Sequence, residues 1–92
     1  MKYKIGNRVH IEGHWNFPND CTGTISKPPK LAAHHAADHA SWRGARRVVK
    51  GKKGSIVFYW VKFDTPQIDN DGDGPYAEAE VEAEYIELID LE

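Results

Sequence analysis

The chain has 92 residues, of which 12 are Lys or Arg and 14 are Asp or Glu, for a net charge of −2. This length is expected to make one domain, near the low end of what can bury its own core. Cys21 is the only cysteine, which excludes an internal disulfide, and no apolar run is long enough to cross a bilayer.

The 8 Gly and 5 Pro favour a turn-rich β architecture over a helical bundle. The opening MKYKIGNRV lacks the apolar core of a signal peptide, so a reducing, bacterial-type cytoplasm is the expected location. Tyr3 to Glu12 reads as a first strand interrupted at Gly6-Asn7, with Ile5, Val9 and Ile11 on one face. Gly13 to Asp20 is loop by its Gly, Pro, Asn and Asp content. Cys21 to Lys27 is a short second strand in which Gly23 marks a bulge or a close approach of backbone, and Pro28-Pro29 ends it.

Lys30 to Gly44 is alanine-rich and carries Leu31, His35, Asp38 and Trp42 at helix-like spacing, so residues 30–44 are predicted as a short helical insertion. Arg46 to Lys50 is a third strand, and Gly51-Lys52-Lys53-Gly54 turns it into a hairpin with the next one. That next strand, Ile56 to Phe63, is almost wholly β-branched or aromatic and organises the chain. Alternation places Val57, Tyr59, Val61 and Phe63 on one face and Ile56, Phe58, Trp60 and Lys62 on the other. Both faces are apolar, and the insertion is expected to cover the second.

The end of the chain reads as strand rather than helix. A helix would set Glu78 against Glu82 and Glu80 against Glu84 with no compensating base. A strand from about Tyr76 to Val81, a tight turn at Glu84-Tyr85 and a last strand from Ile86 to Leu91 are predicted instead.

The charge is lopsided along the chain. Lys27 to Lys53 holds a basic strip, Arg43, Arg46, Arg47, Lys50, Lys52 and Lys53, whereas every charged residue from Asp64 onward is acidic. The expected arrangement has the strip pairing with Glu78 to Glu84 on a neighbouring strand; the alternative is a nucleic-acid surface with Trp42 and Trp60 as stacking partners. Asp69 to Glu80 satisfies a calcium-loop pattern, with Asp69, Asp71 and Asp73 at alternate positions, Gly74 at the turn and Glu80 in the place of the bidentate ligand. Flanking helices are missing, so the competing reading is an acidic turn whose aspartates cap backbone amides. His34, His35 and His39 offer a zinc-like spacing without a local third and fourth ligand set, and Cys21 with His14 is the one thiol and base combination.

Ile5-Gly6-Asn7-Arg8-Val9, Gly23-Thr24-Ile25, Tyr59-Trp60-Val61-Lys62-Phe63-Asp64 and Ala83-Glu84-Tyr85-Ile86-Glu87-Leu88 together resemble the Src-homology-3-like small barrel superfamily. The resemblance implies an all-β small barrel of about five or six strands, with the helical insertion between the second and third. Its members include KOW-type and Tudor-like binding modules, electron-transfer accessory subunits and the plasmid-borne type of dihydrofolate reductase, so it leaves the activity open. Against the reductase, only strand-opening glycines and Trp15 correspond, and that enzyme's Gln-Ile-Tyr strand is absent. The reading is therefore a non-enzymatic binding module without a cofactor. Its contact surface is Trp15, Trp42, Tyr59, Trp60 and Tyr76, and its partner is a protein or another copy of itself; calcium at Asp69, Asp71, Asp73 and Glu80, or nucleic acid on the basic strip, are the alternatives.

Overall fold

The computed structural model describes residues 3–29 and 42–89. Seven strands follow in order: β1 (Arg8–Ile11), β2 (Cys21–Ile25), β3 (Trp42–Arg43), β4 (Arg46–Gly51), β5 (Gly54–Gln67), β6 (Tyr76–Glu82) and β7 (Ile86–Leu88). A 3-10 turn, Ala83–Tyr85, joins the last two. All pairings are antiparallel, and the strands make one curled, barrel-like sheet in the order β3-β4-β5-β2-β1-β7, with β6 on the second edge of β5. The fold is all-β, as composition and alternation predict.

Strand β5 holds the sheet together because one of its edges serves two partners in succession. β4 takes that edge from Gly54 to Tyr59, and β2 takes it from Val61 to Phe63. Trp60 is the handover: its N–H donates to the Ala45 carbonyl at 2.9 Å, and its own carbonyl accepts from Ser26 N–H at 2.9 Å. Both backbone polar groups of Trp60 are thereby paired. The close seating of β2 explains Gly23, where a Cβ would lie 2.6 Å from the Lys62 carbonyl oxygen and 2.7 Å from Val61 Cγ1.

The inner face follows the predicted alternation. Val9, Ile11, Ile25, Tyr59, Val61, Phe63, Val81 and Ile86 form the core, with Phe17 and Ala45. Tyr3 is latched onto it: its N–H donates to the Tyr59 hydroxyl at 3.1 Å, its hydroxyl donates to the Ile86 carbonyl at 2.9 Å, and the two rings meet edge-on.

Three expectations are corrected. Ile5 does not join Val9 and Ile11; it is 58% exposed, because Asn7 N–H bonds back to Lys4 and Gly6 adopts a φ of 95°, so the strand begins only at Arg8. The insertion is not helical through Gly44. Trp42 and Arg43 pair with Arg47 and Arg46 as strand, and Gly44, at φ 63°, makes the turn. The other residues of that predicted helix, 30–41, lie outside the described residues, as do Asp90 and Leu91 of the predicted last strand. Finally, Trp42, Tyr59 and Trp60 are not a contact surface, being 7%, 1% and 1% exposed. Tyr59 is core, while Trp42 packs edge-on against Trp60 on the opposite face of β5, ring centres 5.8 Å apart.

A polar clamp ties β1, β2 and β5 on the outer surface. Arg8 makes two hydrogen bonds to the Asp64 carboxylate, Thr22 donates its hydroxyl to the same group at 2.5 Å, and Arg8 also reaches Thr24 at 2.8 Å. These donors, Arg8 foremost and Thr22 next, hold the Asp64 carboxyl down from 3.8 to about 2. A depressed carboxyl contributes stability that is fully present above the unfolded value and is lost as pH falls through the folded one. Acid titration followed by circular dichroism should therefore show stability declining below about pH 4 in the wild type. In Asp64→Asn that component of the slope between about pH 4 and pH 2 should be missing; an unchanged slope would dismiss the clamp as a contributor.

Candidate functional site

A concavity lies on the outer face, where the Gly13-to-Phe17 loop crosses beside β6. Register explains its chemistry. Glu78, Glu80 and Glu82 alternate on β6 and stand opposite Lys62, Trp60 and Phe58 of β5, so three carboxylates share one face with two aromatic rings. The groove has a volume of about 210 Å³ and is walled by Trp15, Phe58, Tyr76 and the three glutamates, with His14 at its base.

His14 positions the loop. Its ring is 3% exposed, and Nδ1 accepts from the backbone N–H of Asn16 at 3.0 Å and of Phe17 at 3.2 Å. Nδ1 therefore carries no proton, the proton sits on Nε2, and Nε2 donates to Glu82 Oε1 at 3.0 Å. The ring also packs against Trp15, Phe17 and Tyr85. The second Glu82 oxygen accepts from the Trp15 indole N–H at 2.6 Å. From the far side, Asn70 N–H donates to the Asn16 carbonyl at 2.8 Å and the Asn70 side-chain amide donates to the Trp15 carbonyl, so the acidic loop braces the aromatic one.

The three carboxylates differ in what holds them. Glu80 is paired with Arg47 at 3.0 Å, and that guanidinium lies over the Phe58 ring, 5.6 Å from its centre. The expected pairing of the basic strip with the tail glutamates is thus present at this pair, although across β5 rather than between neighbouring strands. Glu78 accepts from the Trp60 indole N–H at 2.7 Å, and Glu82 accepts from His14 and Trp15. Indole and neutral imidazole N–H groups fix those two carboxylates without cancelling their charge. The groove thereby combines oriented negative charge with exposed ring faces; Trp15 is 62% exposed.

The other predicted sites lie apart from this groove. Asp69, Asp71 and Asp73 do cluster, each offering an oxygen within 4.8 Å of the others. Asp69, however, is buried and committed: Oδ1 accepts from the backbone N–H of Asp71 and Asp73 at 3.0 and 2.9 Å, and Oδ2 accepts from the Tyr76 hydroxyl at 3.1 Å. That bond, ahead of burial, pushes the Tyr76 hydroxyl above its usual range. Glu80 sits on β6 and is paired with Arg47, away from the closing position that the calcium-loop pattern gives it, and Asp69 makes the backbone caps of the competing acidic-turn reading. Asp69→Ala should cost about 1–3 kcal/mol by leaving two amides and a phenol unpartnered, measured by urea denaturation, and a neutral effect would show that the turn closes without it.

Within the basic strip, Arg47 is paired with Glu80 and Arg46 is partly buried opposite Tyr59, whereas Arg43, Lys50, Lys52 and Lys53 are exposed. Cys21 is half-buried, and burial, then Asp20 and Asp64, push its thiol up, away from nucleophilic character. Both His14 nitrogens are engaged elsewhere, so no thiol and base pair forms. His34, His35 and His39 lie outside the described residues. The sequence reading named Trp15 and Tyr76 but missed Glu78, Glu82 and Phe58 as one site; the Glu-Ala alternation on β6 was the available signal.

Comparison with models of known protein families, with characterised proteins and with solved structures gives no match. No helix among the described residues is long and apolar enough to cross a membrane.

Proposed function

We propose that this chain is a non-enzymatic interaction module of the Src-homology-3-like small-barrel kind, which takes a cationic segment of a partner protein into the groove between the Gly13-to-Phe17 loop and β6. The 3-10 turn between the last two strands and the return of β7 to β1 support the barrel assignment. One observation carries the function. Glu78 and Glu82 are held in place by neutral N–H donors, so two oriented negative charges face a groove rimmed by aromatic rings. A lysine ammonium or arginine guanidinium answers both features, through charge-assisted hydrogen bonds and through the ring faces.

The test is titration of a lysine- and arginine-bearing decapeptide into the protein, followed by the emission of the exposed Trp15, with a glutamate-substituted peptide as control. Binding should weaken with salt and by about tenfold or more in Glu78→Gln, since a hydrogen bond to a charged group is worth ~1.5–3 kcal/mol. Glutamine keeps an acceptor for the Trp60 indole while removing the charge. Equal binding of both peptides would refute the reading.

A further inference from the structure

Resting on that groove reading, we infer that the occupant of the groove is the β4–β5 hairpin of a second copy of this chain. β6 flanks β5 only as far as Phe58, opposite Glu82. Beyond it the hairpin runs on alone through Val48↔Val57, Val49↔Ile56, Lys50↔Ser55 and Gly51↔Gly54. Those pairs make a ribbon roughly 13 Å long at about 3.3 Å per residue, and a free two-stranded ribbon is marginal in water. It nevertheless carries apolar side chains in the open, Ile56 at 50% and Val48 at 36% exposure.

Its tip carries Lys50, Lys52 and Lys53, all exposed and without an ion pair among the described residues. The groove carries Glu78 and Glu82, held by neutral donors. The tip supplies cations and adjacent apolar surface, and the groove supplies carboxylates and rings. β5 runs without interruption from Phe58 on the groove wall into the hairpin, so tip and groove of one chain cannot meet. One contact between copies satisfies both surfaces. A duplex nucleic acid would engage the lysines but would be repelled by the acidic face and would leave the groove empty.

The experiment is sedimentation velocity on the full chain over a concentration series, at low salt and at about 0.5 M salt, where exposed charges are screened. The average mass should rise with concentration at low salt and return to monomer at high salt. The triple variant Lys50→Glu, Lys52→Glu, Lys53→Glu, and separately Glu78→Gln, should each weaken association by about tenfold or more. A control pair, Lys4→Glu with Lys27→Glu, should leave it unchanged. A wild type that stays monomeric while the cationic decapeptide still binds beside Trp15 overturns the second-copy inference and leaves the groove reading standing. Failure of both overturns both. A monomeric wild type whose binding to duplex DNA is lost in the triple variant assigns the lysines to nucleic acid instead, and also overturns the inference.

Discussion

Replacing His14 with alanine should lower the unfolding free energy by about 3 kcal/mol, the sum of an unpartnered pair of amides and a lost buried ring. The imidazole is nearly inaccessible, caps two backbone N–H groups through Nδ1 and anchors Glu82 through Nε2. His14→Asn separates these contributions. Its side-chain oxygen can accept from the same amides as an Asx turn, but it cannot pack against Phe17 and Tyr85 or reach Glu82. Urea midpoints should therefore fall in the order wild type, His14→Asn, His14→Ala. Equal losses in the two variants would mean that the ring, not the cap, is what matters.

The second large effect is expected at Gly23, and it concerns space rather than backbone conformation. A methyl group placed there meets the Lys62 carbonyl oxygen and Val61 Cγ1 well inside contact distance, and the oxygen belongs to the central strand. β2 would have to lift from β5 along the Gly23–Ile25 register. Gly23→Ala should cost about 3 kcal/mol, the upper part of the range for overpacking, read by thermal or urea denaturation. Retention of wild-type stability would show that β2 can shift without cost.

These two residues differ in how far the sequence announces them. Gly23 sits inside an otherwise β-prone CTGTI stretch, so a glycine there already signals close backbone approach. The long apolar strand, the Gly51–Gly54 hairpin and the extended Tyr76–Glu82 segment were legible for the same reason: each is governed by alternation, turn residues or like-charge avoidance along a few neighbouring positions. His14 and Glu82 are separated by 68 positions, and no local pattern couples them. The same limit explains Glu80, which local spacing assigned to a calcium loop and the sheet register gave to Arg47. It also explains Trp42 and Trp60. Their aromatic character suggested a contact surface, but register set them against each other, and Trp60 donates its indole N–H to Glu78. The groove could be read only as ingredients, because its walls come from the first loop and two later strands.

The handover at Trp60 also orders events in time. β4, β5 and β6 follow one another in sequence, so their pairings close over short connections and the entropic cost of each is small. β1 and β7 meet through Val9 and Leu88, nearly the whole described chain apart. Pairing at such separation must wait for intervening contacts to shorten the path between the ends, and non-local pairing of this kind slows folding. The upper half of β5 can thus be committed to the meander while its lower half, from Val61 on, still waits for β2. A chain growing from its N-terminus holds β1 and β2 ready before their partner in β5 exists, and it is not closed until Ile86–Leu88 has been made.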